Sequence, residues 1–166
     1  MKNELKKRIT LLLMLAGCLF ATEKTFVREY TYQASDSVAG EEFVIIPIPD
    51  TQYYSENYPA SFNAQAQWIV DSRDSLNIVY VAHEGDIVQN FSNTSQWQNA
   101  DTAMTILEEA VSDEFPDGIP YGMVPGNHDI PTTNYNLYFG ADRYLGRSYY
   151  GGVYEFPNND NNYTLF

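Results

Sequence analysis

The sequence is poor in cysteine, histidine and basic residues. Its 166 residues include a single cysteine, Cys18, so no disulfide can form within the chain. Nine lysines and arginines stand against 22 aspartates and glutamates, which gives a net charge of −13. A chain this acidic has no basic patch for a nucleic-acid backbone, so the charge disfavours a nucleic-acid partner. Divalent cations are the partners that this charge attracts.

The sequence also has no hydrophobic run long enough to span a membrane. The apolar run at residues 9–15 is far shorter than the ~20 residues that cross a bilayer, and four basic residues precede it. This pattern predicts a signal peptide at residues 1–17. The run ends in Leu-Ala-Gly-Cys, which resembles the lipobox of bacterial lipoproteins, so Cys18 is the predicted lipid anchor of an exported protein at the bacterial envelope or surface. Cleavage after Ala21, giving a secreted protein, and an incidental thiol at Cys18 are the alternatives.

Short apolar runs alternate with amphipathic segments after residue 41. Residues 18–41 are interpreted as a tether or an N-terminal strand, and residues 42–166 as one domain. Apolar runs at 43–49, 77–82 and 121–124 predict strands, of which the first two would be buried. One predicted helix is capped by Ser61, and a second begins near Ser95. The apolar positions of these helices are Phe62, Ala66, Ile69 and Leu76, and Trp97, Ala100, Met104, Leu107 and Val111.

The alternation of strands and helices predicts an α/β fold with a parallel sheet. After Pro131 the chain is rich in asparagine, tyrosine and glycine, which indicates a loop with a short helix at 135–139. The last residues, 162–166, are typical of a strand that has just begun.

Polar clusters follow each of the three predicted strands. They are Pro-Asp-Thr-Gln at 49–52, Gly-Asp-Ile-Val-Gln-Asn at 85–90 and Pro-Gly-Asn-His-Asp at 125–129. In an open parallel sheet, ligands bind beyond the carboxyl ends of the strands, so the three clusters are expected to meet in one crevice.

In order and spacing, these clusters resemble the motifs of the calcineurin-like metallophosphoesterase family, which are Asp-x-His, Gly-Asp and Gly-Asn-His-Asp/Glu. The resemblance covers roughly residues 43–130. It implies the N-terminal half of a four-layer α/β/β/α sandwich, its βαβαβ portion. It also implies two divalent metal ions (Mn, Fe, Zn or Mg) and hydrolysis of phosphate mono- or diesters by a metal-bound hydroxide.

The resemblance assigns the metal ligands residue by residue. Asp50 matches the aspartate of the first metal, Asp86 the bridging carboxylate and Asn127 the amide ligand of the second metal. Gln52 stands where most members have histidine. Because side chains two residues apart share one side of an extended segment, Asp50 and Gln52 are expected to reach one ion. The amide oxygen of Gln52 favours harder cations than imidazole does, or it contacts a water beside a weakly bound metal.

His128 matches the family histidine that contacts the phosphate and protonates the leaving oxygen. Three further polar residues are candidates for contacts around the ligands. His83 either orients a ligand or is a hydrogen-bonded histidine at a strand end. Asp129 either accepts hydrogen bonds behind the site or caps the next turn, and Asn90 has a similar choice in the loop after Asp86.

The family completes its site with further histidines, and this sequence has only His83 and His128. We therefore expect the sequence to be an N-terminal fragment that is inactive by itself. The competing hypothesis is a surface lipoprotein that uses the same scaffold for binding without catalysis. The sequence does not decide the substrate or the oligomeric state.

Overall fold

The computed structural model describes residues 42–109 and 115–166. The predicted signal peptide, the lipid anchor Cys18, the tether at 18–41 and Val111 lie outside the described residues. Within the described part of the chain, no helix has the length and apolar character needed to cross a membrane.

A parallel three-stranded sheet forms the centre of the described fold. Its strands are β1 (Val44–Ile48), β2 (Ile78–His83) and β3 (Tyr121–Met123), in the order β1-β2-β3. Both pairs are parallel, with Ile46 opposite Val81 and Val81 opposite Tyr121. The predicted α/β class is confirmed, and each strand lies within two residues of its predicted bounds.

Four helices accompany the sheet within residues 42–109 and 115–166. They are α1 (Gln52–Asn57), α2 (Pro59–Leu76), α3 (Thr94–Thr105) and α4 (Thr133–Phe139), with short 3-10 turns at Ile106–Glu108, Asn127–Asp129 and Ala141–Arg143. The helices bury one side each against the sheet or against one another. The core consists largely of Phe62, Ala66 and Ile69 of α2, Trp97, Ala100, Ala103 and Met104 of α3, Tyr135 and Phe139 of α4, and Val81, Tyr121 and Met123 of the sheet.

The predicted start of the first helix, with Ser61 as its cap, is wrong. Ser61 lies inside α2, which begins at Pro59 after Tyr58. Proline suits the first helical position because its fixed φ is already helical and its missing N–H would have no partner there. A second correction concerns Gln52, which begins α1 and does not continue an extended segment from Asp50. The geometric argument that Asp50 and Gln52 share one side of a strand therefore fails.

The prediction that β1 is buried is also wrong for one of its two faces. Ile46 is half-buried and Ile48 is buried, whereas Ile45 and Pro47 are exposed. The helices cover one face of the sheet. On the opposite face, Phe166 of the C-terminal segment stacks on Tyr80. Leu76, which was predicted to face the core, is 42% exposed.

The region after Pro131 has more structure than predicted. The short helix is confirmed as α4, and the final strand as β5 (Asn162–Thr164). Its partner β4 (Tyr150–Val153) was not predicted, because Gly151 and Gly152 have little intrinsic preference for strands. The ring of Tyr163 lies against Gly151 so closely that a Cβ there would be 2.1 Å from it. The pairing thus depends on a contact that only the folded hairpin provides.

Arg143 joins α3, β3 and the C-terminal region through a half-buried network. Its Nε donates to Glu108 Oε1 at 2.7 Å and to the Tyr121 hydroxyl at 2.8 Å, and its Nη1 pairs with Asp101. Arg147 contacts the same Glu108 oxygen at 3.1 Å. Removing one partner of such a network leaves another charge poorly compensated.

We expect Arg143→Met to lower the free energy of unfolding by about 3 kcal/mol, because Glu108 and Asp101 lose their shared cation. Denaturant unfolding would measure this loss. The same substitution in a Glu108→Gln background should cost less, because one of the stranded charges is already gone. Strictly additive losses in this double-mutant cycle would contradict the proposed coupling.

Candidate functional site

The three sequence clusters lie beyond the carboxyl ends of β1, β2 and β3. Asp50 follows β1, Asp86 follows β2, and Asn127 follows β3. The first two loops begin side by side, since the backbone N–H of Glu84 donates to the carbonyl of Ile48 at 3.0 Å. The parallel order of the sheet therefore brings the predicted ligands to one edge.

Both predicted metal-binding aspartates have left-handed backbone conformations. Asp50 has φ 41° and Asp86 has φ 47°. Among the described residues, Asn77 at the end of α2 is the only other non-glycine residue with positive φ. Such conformations cost a non-glycine residue of the order of 1–2 kcal/mol and concentrate at functional sites. The strain therefore coincides with the two carboxylates that the motifs single out.

The loops after β2 and β3 touch through two glycines. Gly85 has φ 97°, and a Cβ there would lie 2.6 Å from the backbone nitrogen of Gly126. A Cβ on Gly126 would lie 2.2 Å from Asp86 Oδ1. The same Asp86 oxygen accepts a hydrogen bond from the backbone N–H of His128 at 2.9 Å. The two motifs thus interlock, and neither position has room for a side chain.

Asp129 lies behind this contact and is buried. Its carboxylate accepts hydrogen bonds from the backbone N–H groups of Ile87, Val88 and Gly126 at 2.8–3.1 Å. Burial raises the pKa of Asp129 above its usual range, and the hydrogen bonds from these three N–H groups oppose the rise. Asp129 is therefore a buried acceptor for the backbone of both loops, and its contact with the Gly126 N–H also caps the Asn127–Asp129 turn.

His83 connects the loops after β1 and β2 from inside the protein. Its Nδ1 accepts from the backbone N–H of Gly85 at 3.2 Å, and its Nε2 lies 2.9 Å from Thr51 Oγ1. Thr51 in turn donates to the carbonyl of Ile87 at 3.3 Å. The consistent assignment is a neutral imidazole with its proton on Nε2. Burial lowers the pKa of His83 to about 3, which agrees with that neutral form.

Asn90 serves its own loop. Its Oδ1 accepts from the backbone N–H of Ser92 at 3.0 Å and from the Ser92 hydroxyl at 2.8 Å. These hydrogen bonds close a short side-chain turn of the kind that asparagine forms readily. The contacts of Asn90 are thus those of a turn residue.

The side chains with ligand chemistry differ in exposure. Asp50 and Asn127 are exposed, whereas Asp86, His128 and Gln52 are half-buried. The Oε1 atom of Gln52 is buried and has no hydrogen-bond partner among residues 42–109 and 115–166. An unsatisfied buried amide oxygen is costly, so this atom calls for a partner such as a cation or a water.

The available donors are oxygen atoms. Asp50 and Asp86 offer carboxylate oxygens, and Gln52 and Asn127 offer amide oxygens. Such hard donors suit Mg, Mn or Ca better than soft cations. Within the described parts of the chain, no group of three or more histidine, cysteine, aspartate or glutamate side chains could hold a metal ion. The donors present fit an oxygen-ligated cation site that needs further ligands.

His128 is oriented by a main-chain carbonyl. Its Nδ1 lies 3.1 Å from the carbonyl oxygen of Gln89. A carbonyl can only accept, so Nδ1 carries a proton and Nε2 is left for another partner.

Two residues that support the site were not predicted from the sequence. The hydroxyl of Ser55 in α1 donates to the carbonyl of Ile87 at 2.6 Å, and Thr51 makes the contacts described above. Serine and threonine near a helix start look like ordinary capping residues. Nothing in the local sequence shows that they reach a loop more than thirty residues away.

Comparisons with known proteins add one relative. No family model matches the chain, and no solved structure matches it. An uncharacterized protein of Bacillus subtilis strain 168, YvnB, is 40% identical over 132 residues, which covers 76% of this chain. The chain spans about a tenth of the length of that relative, since the match covers 10% of it.

The buried neutral His83 predicts that acid destabilises the fold. Unfolded, His83 binds a proton below about pH 6.5, whereas in the folded state it does so only near pH 3. Between these pH values the unfolded state holds more protons than the folded state. The stability that the neutral His83 gives the folded state is therefore complete above pH 6.5 and is lost as the pH falls. The slope approaches about 1.4 kcal/mol per pH unit.

Denaturant unfolding between pH 7 and pH 4 would measure this dependence. Other acidic groups titrate in the same range, so the comparison is with His83→Gln. The free energy of unfolding of that variant should vary less steeply with pH. Equal slopes in the two proteins would show that His83 does not remain neutral in the folded state.

Proposed function

We propose that residues 42–166 carry the first half of the two-metal site of a calcineurin-like metallophosphoesterase, an enzyme that hydrolyses phosphate mono- or diesters. The observation that carries the proposal is the convergence of the Asp50, Asp86 and Asn127 loops at one edge of the parallel sheet. The interlocked backbone at Gly85 and Gly126 supports it, since it holds the loops together without side chains.

The residues present would hold two cations in distinct ways. Asp50 and Gln52 would bind the first, Asn127 the second, and Asp86 would lie between them. The Oε1 of Gln52, which has no hydrogen-bond partner among the described residues, supports its role as a ligand. Manganese or magnesium suits these oxygen donors best, with iron and zinc the other candidates. When bound, the two ions would polarise the phosphoryl group and supply a nucleophile at neutral pH.

His128 would act as the acid for the leaving group. Its Nδ1 donates to the Gln89 carbonyl, so the ring is fixed and Nε2 can hold the proton that the leaving oxygen requires. The adjacent backbone N–H of His128 donates to Asp86, which ties the position of the imidazole to that of the proposed bridging carboxylate.

The charge of the chain favours small substrates. With a net charge of −13, the chain repels long polyanions, and the proposed cations are its main attraction for phosphate. We also propose export of the protein and attachment to a membrane through acylated Cys18.

The finer fold that we propose is the N-terminal half of a four-layer sandwich. The supporting observation is the sheet face that carries Ile45 and Pro47, since an exposed apolar face is typical of a surface that another layer covers. The second layer and the missing histidine ligands would come from chain outside residues 42–166. Residues 42–166 alone would then hydrolyse little.

The catalytic proposal is tested on the protein as its gene encodes it, with bis-p-nitrophenyl phosphate and Mn²⁺. We expect His128→Gln to lower kcat by about 100-fold, because general acid catalysis contributes 10²–10⁴. Asp86→Asn should abolish both turnover and tight Mn²⁺ binding. Asp142→Asn is the control, since Asp142 is an exposed carboxylate in a separate 3-10 turn.

Two results would count against this function. Turnover that persists undiminished in His128→Gln would remove the proposed acid. A protein without turnover under any divalent cation would favour the binding lipoprotein, for which the glutamine at position 52 in place of the family histidine is the supporting observation.

The proposed second layer is tested by substitutions on the two sides of the sheet. Ile45 and Leu76 are 43% and 42% exposed, but Ile45 lies on the open face and Leu76 ends α2. In the protein as its gene encodes it, Ile45→Gln should cost about 2 kcal/mol of unfolding free energy or more, because it places an amide in a buried layer. Leu76→Gln should cost well under 1 kcal/mol. Similar small losses at both positions would exclude a layer over Ile45.

A further inference from the structure

Asp129 occupies a concave arrangement of backbone N–H groups. The left-handed conformation of Asp86 turns the chain so that the next two amides, of Ile87 and Val88, point the same way. Successive N–H groups after such a turn form a nest that binds anions. The Asp129 carboxylate fills this nest, and Gly126 donates a third N–H from the other side.

The negative charge of Asp129 is met by amide dipoles. None of the ion pairs within the described residues includes it. A carboxylate with no exposed surface would be expensive to keep ionised without such hydrogen bonds. The nest and the carboxylate therefore depend on each other, and the left-handed turn at Asp86 is part of the same unit.

The residues that form the nest lie next to two of the proposed metal ligands. Ile87 and Val88 directly follow Asp86, and Gly126 directly precedes Asn127. The Asp129 carboxylate thus binds the backbone directly after Asp86 and directly before Asn127. Its hydrogen bonds therefore link the backbone beside Asp86 to the backbone beside Asn127.

We propose that Asp129 is a positioning residue for the metal pair: by binding the amides of both loops, it sets the separation of Asp86 and Asn127. The inference rests on the proposed two-metal function. In this role Asp129 would touch neither a metal nor substrate and would act through the backbone. Partners that orient metal ligands are typically worth 10–100-fold in metal affinity.

Asp129→Asn is the informative substitution, because no orientation of the new amide fits the nest. Oδ1 of Asp129 accepts from Ile87 and Val88, and Oδ2 accepts from Ile87 and Gly126. An asparagine must put its NH₂ group at one of these positions, where it faces a backbone N–H. Asp129→Glu keeps the charge but cannot keep all the hydrogen bonds without a shift, and it serves as the second variant.

The matched control is Glu108→Gln. Glu108 is also a largely buried, hydrogen-bonded carboxylate, and its partners Arg143, Arg147 and Tyr121 belong to the network described above. The Glu108→Gln substitution should destabilise the fold without changing any hydrogen bond of the nest. A comparison at equal loss of thermal stability therefore separates positioning of the metal ligands from a general loss of stability.

The experiment measures Mn²⁺ binding by calorimetry and by electron paramagnetic resonance, together with the rise in Tm that Mn²⁺ causes, in the protein as its gene encodes it. We expect Asp129→Asn to weaken Mn²⁺ binding at least 10-fold and to lose the spectrum of a coupled metal pair. Asp129→Glu should lie between this variant and the wild type. Glu108→Gln should bind Mn²⁺ within twofold of the wild type.

The contrary outcomes are distinguishable. Wild-type Mn²⁺ affinity and spectrum in Asp129→Asn would overturn the positioning role and leave the metal site intact. An equal loss of affinity in Glu108→Gln at equal stability would also overturn it. A wild-type protein that binds no Mn²⁺ would overturn the proposed function and this inference together. If Asp129→Asn does not fold, unchanged Mn²⁺ binding by Asp129→Glu overturns the inference, and weakened binding supports it.

Discussion

The close approach of the backbone at Gly85 and Gly126 is the constraint on which the candidate site depends. A single Cβ at either position would fall within 2.6 Å of the opposing chain. Because side chains are absent there, the hydrogen bond from the His128 amide to Asp86 can form. The motifs after β2 and β3 thus behave as one structural unit, and displacement of one loop must displace the other.

Two buried side chains extend this unit to the remaining loop. Asp129 connects the loops after β2 and β3, and His83 connects the loop after β2 to Thr51 beside Asp50. Both are polar residues in positions where apolar ones would ordinarily be cheaper to bury. Their hydrogen bonds go to backbone groups, so they fix the course of the chain. The strained conformations of Asp50 and Asp86 persist because these contacts hold the segments on either side.

The chemistry of the edge is one of oxygen donors in an acidic protein. Two carboxylates and two amides follow the strand ends, the described residues include no lysine, and their arginines pair with carboxylates elsewhere. In the proposed function, cations bound at this edge would make it able to receive phosphate. In the proposed function, the half-buried imidazole of His128 would add a proton donor at the same edge. The arrangement agrees with the proposed half-site, and the exposed sheet face beside Ile45 agrees with the proposed second layer.

Local pattern was enough for the sequence alone to determine the α/β alternation, the approximate bounds of the strands and the position of Asp50, Asp86 and Asn127 at strand ends. These features follow from hydrophobic periodicity and from the polarity of parallel sheets. Only the tertiary structure decided that Gln52 begins a helix and that two glycines form part of β4. It also decided that Asp129 fills a nest made by Ile87 and Val88, which precede it by 42 and 41 positions. Each of these depends on contacts between segments far apart in the chain, which no local pattern records.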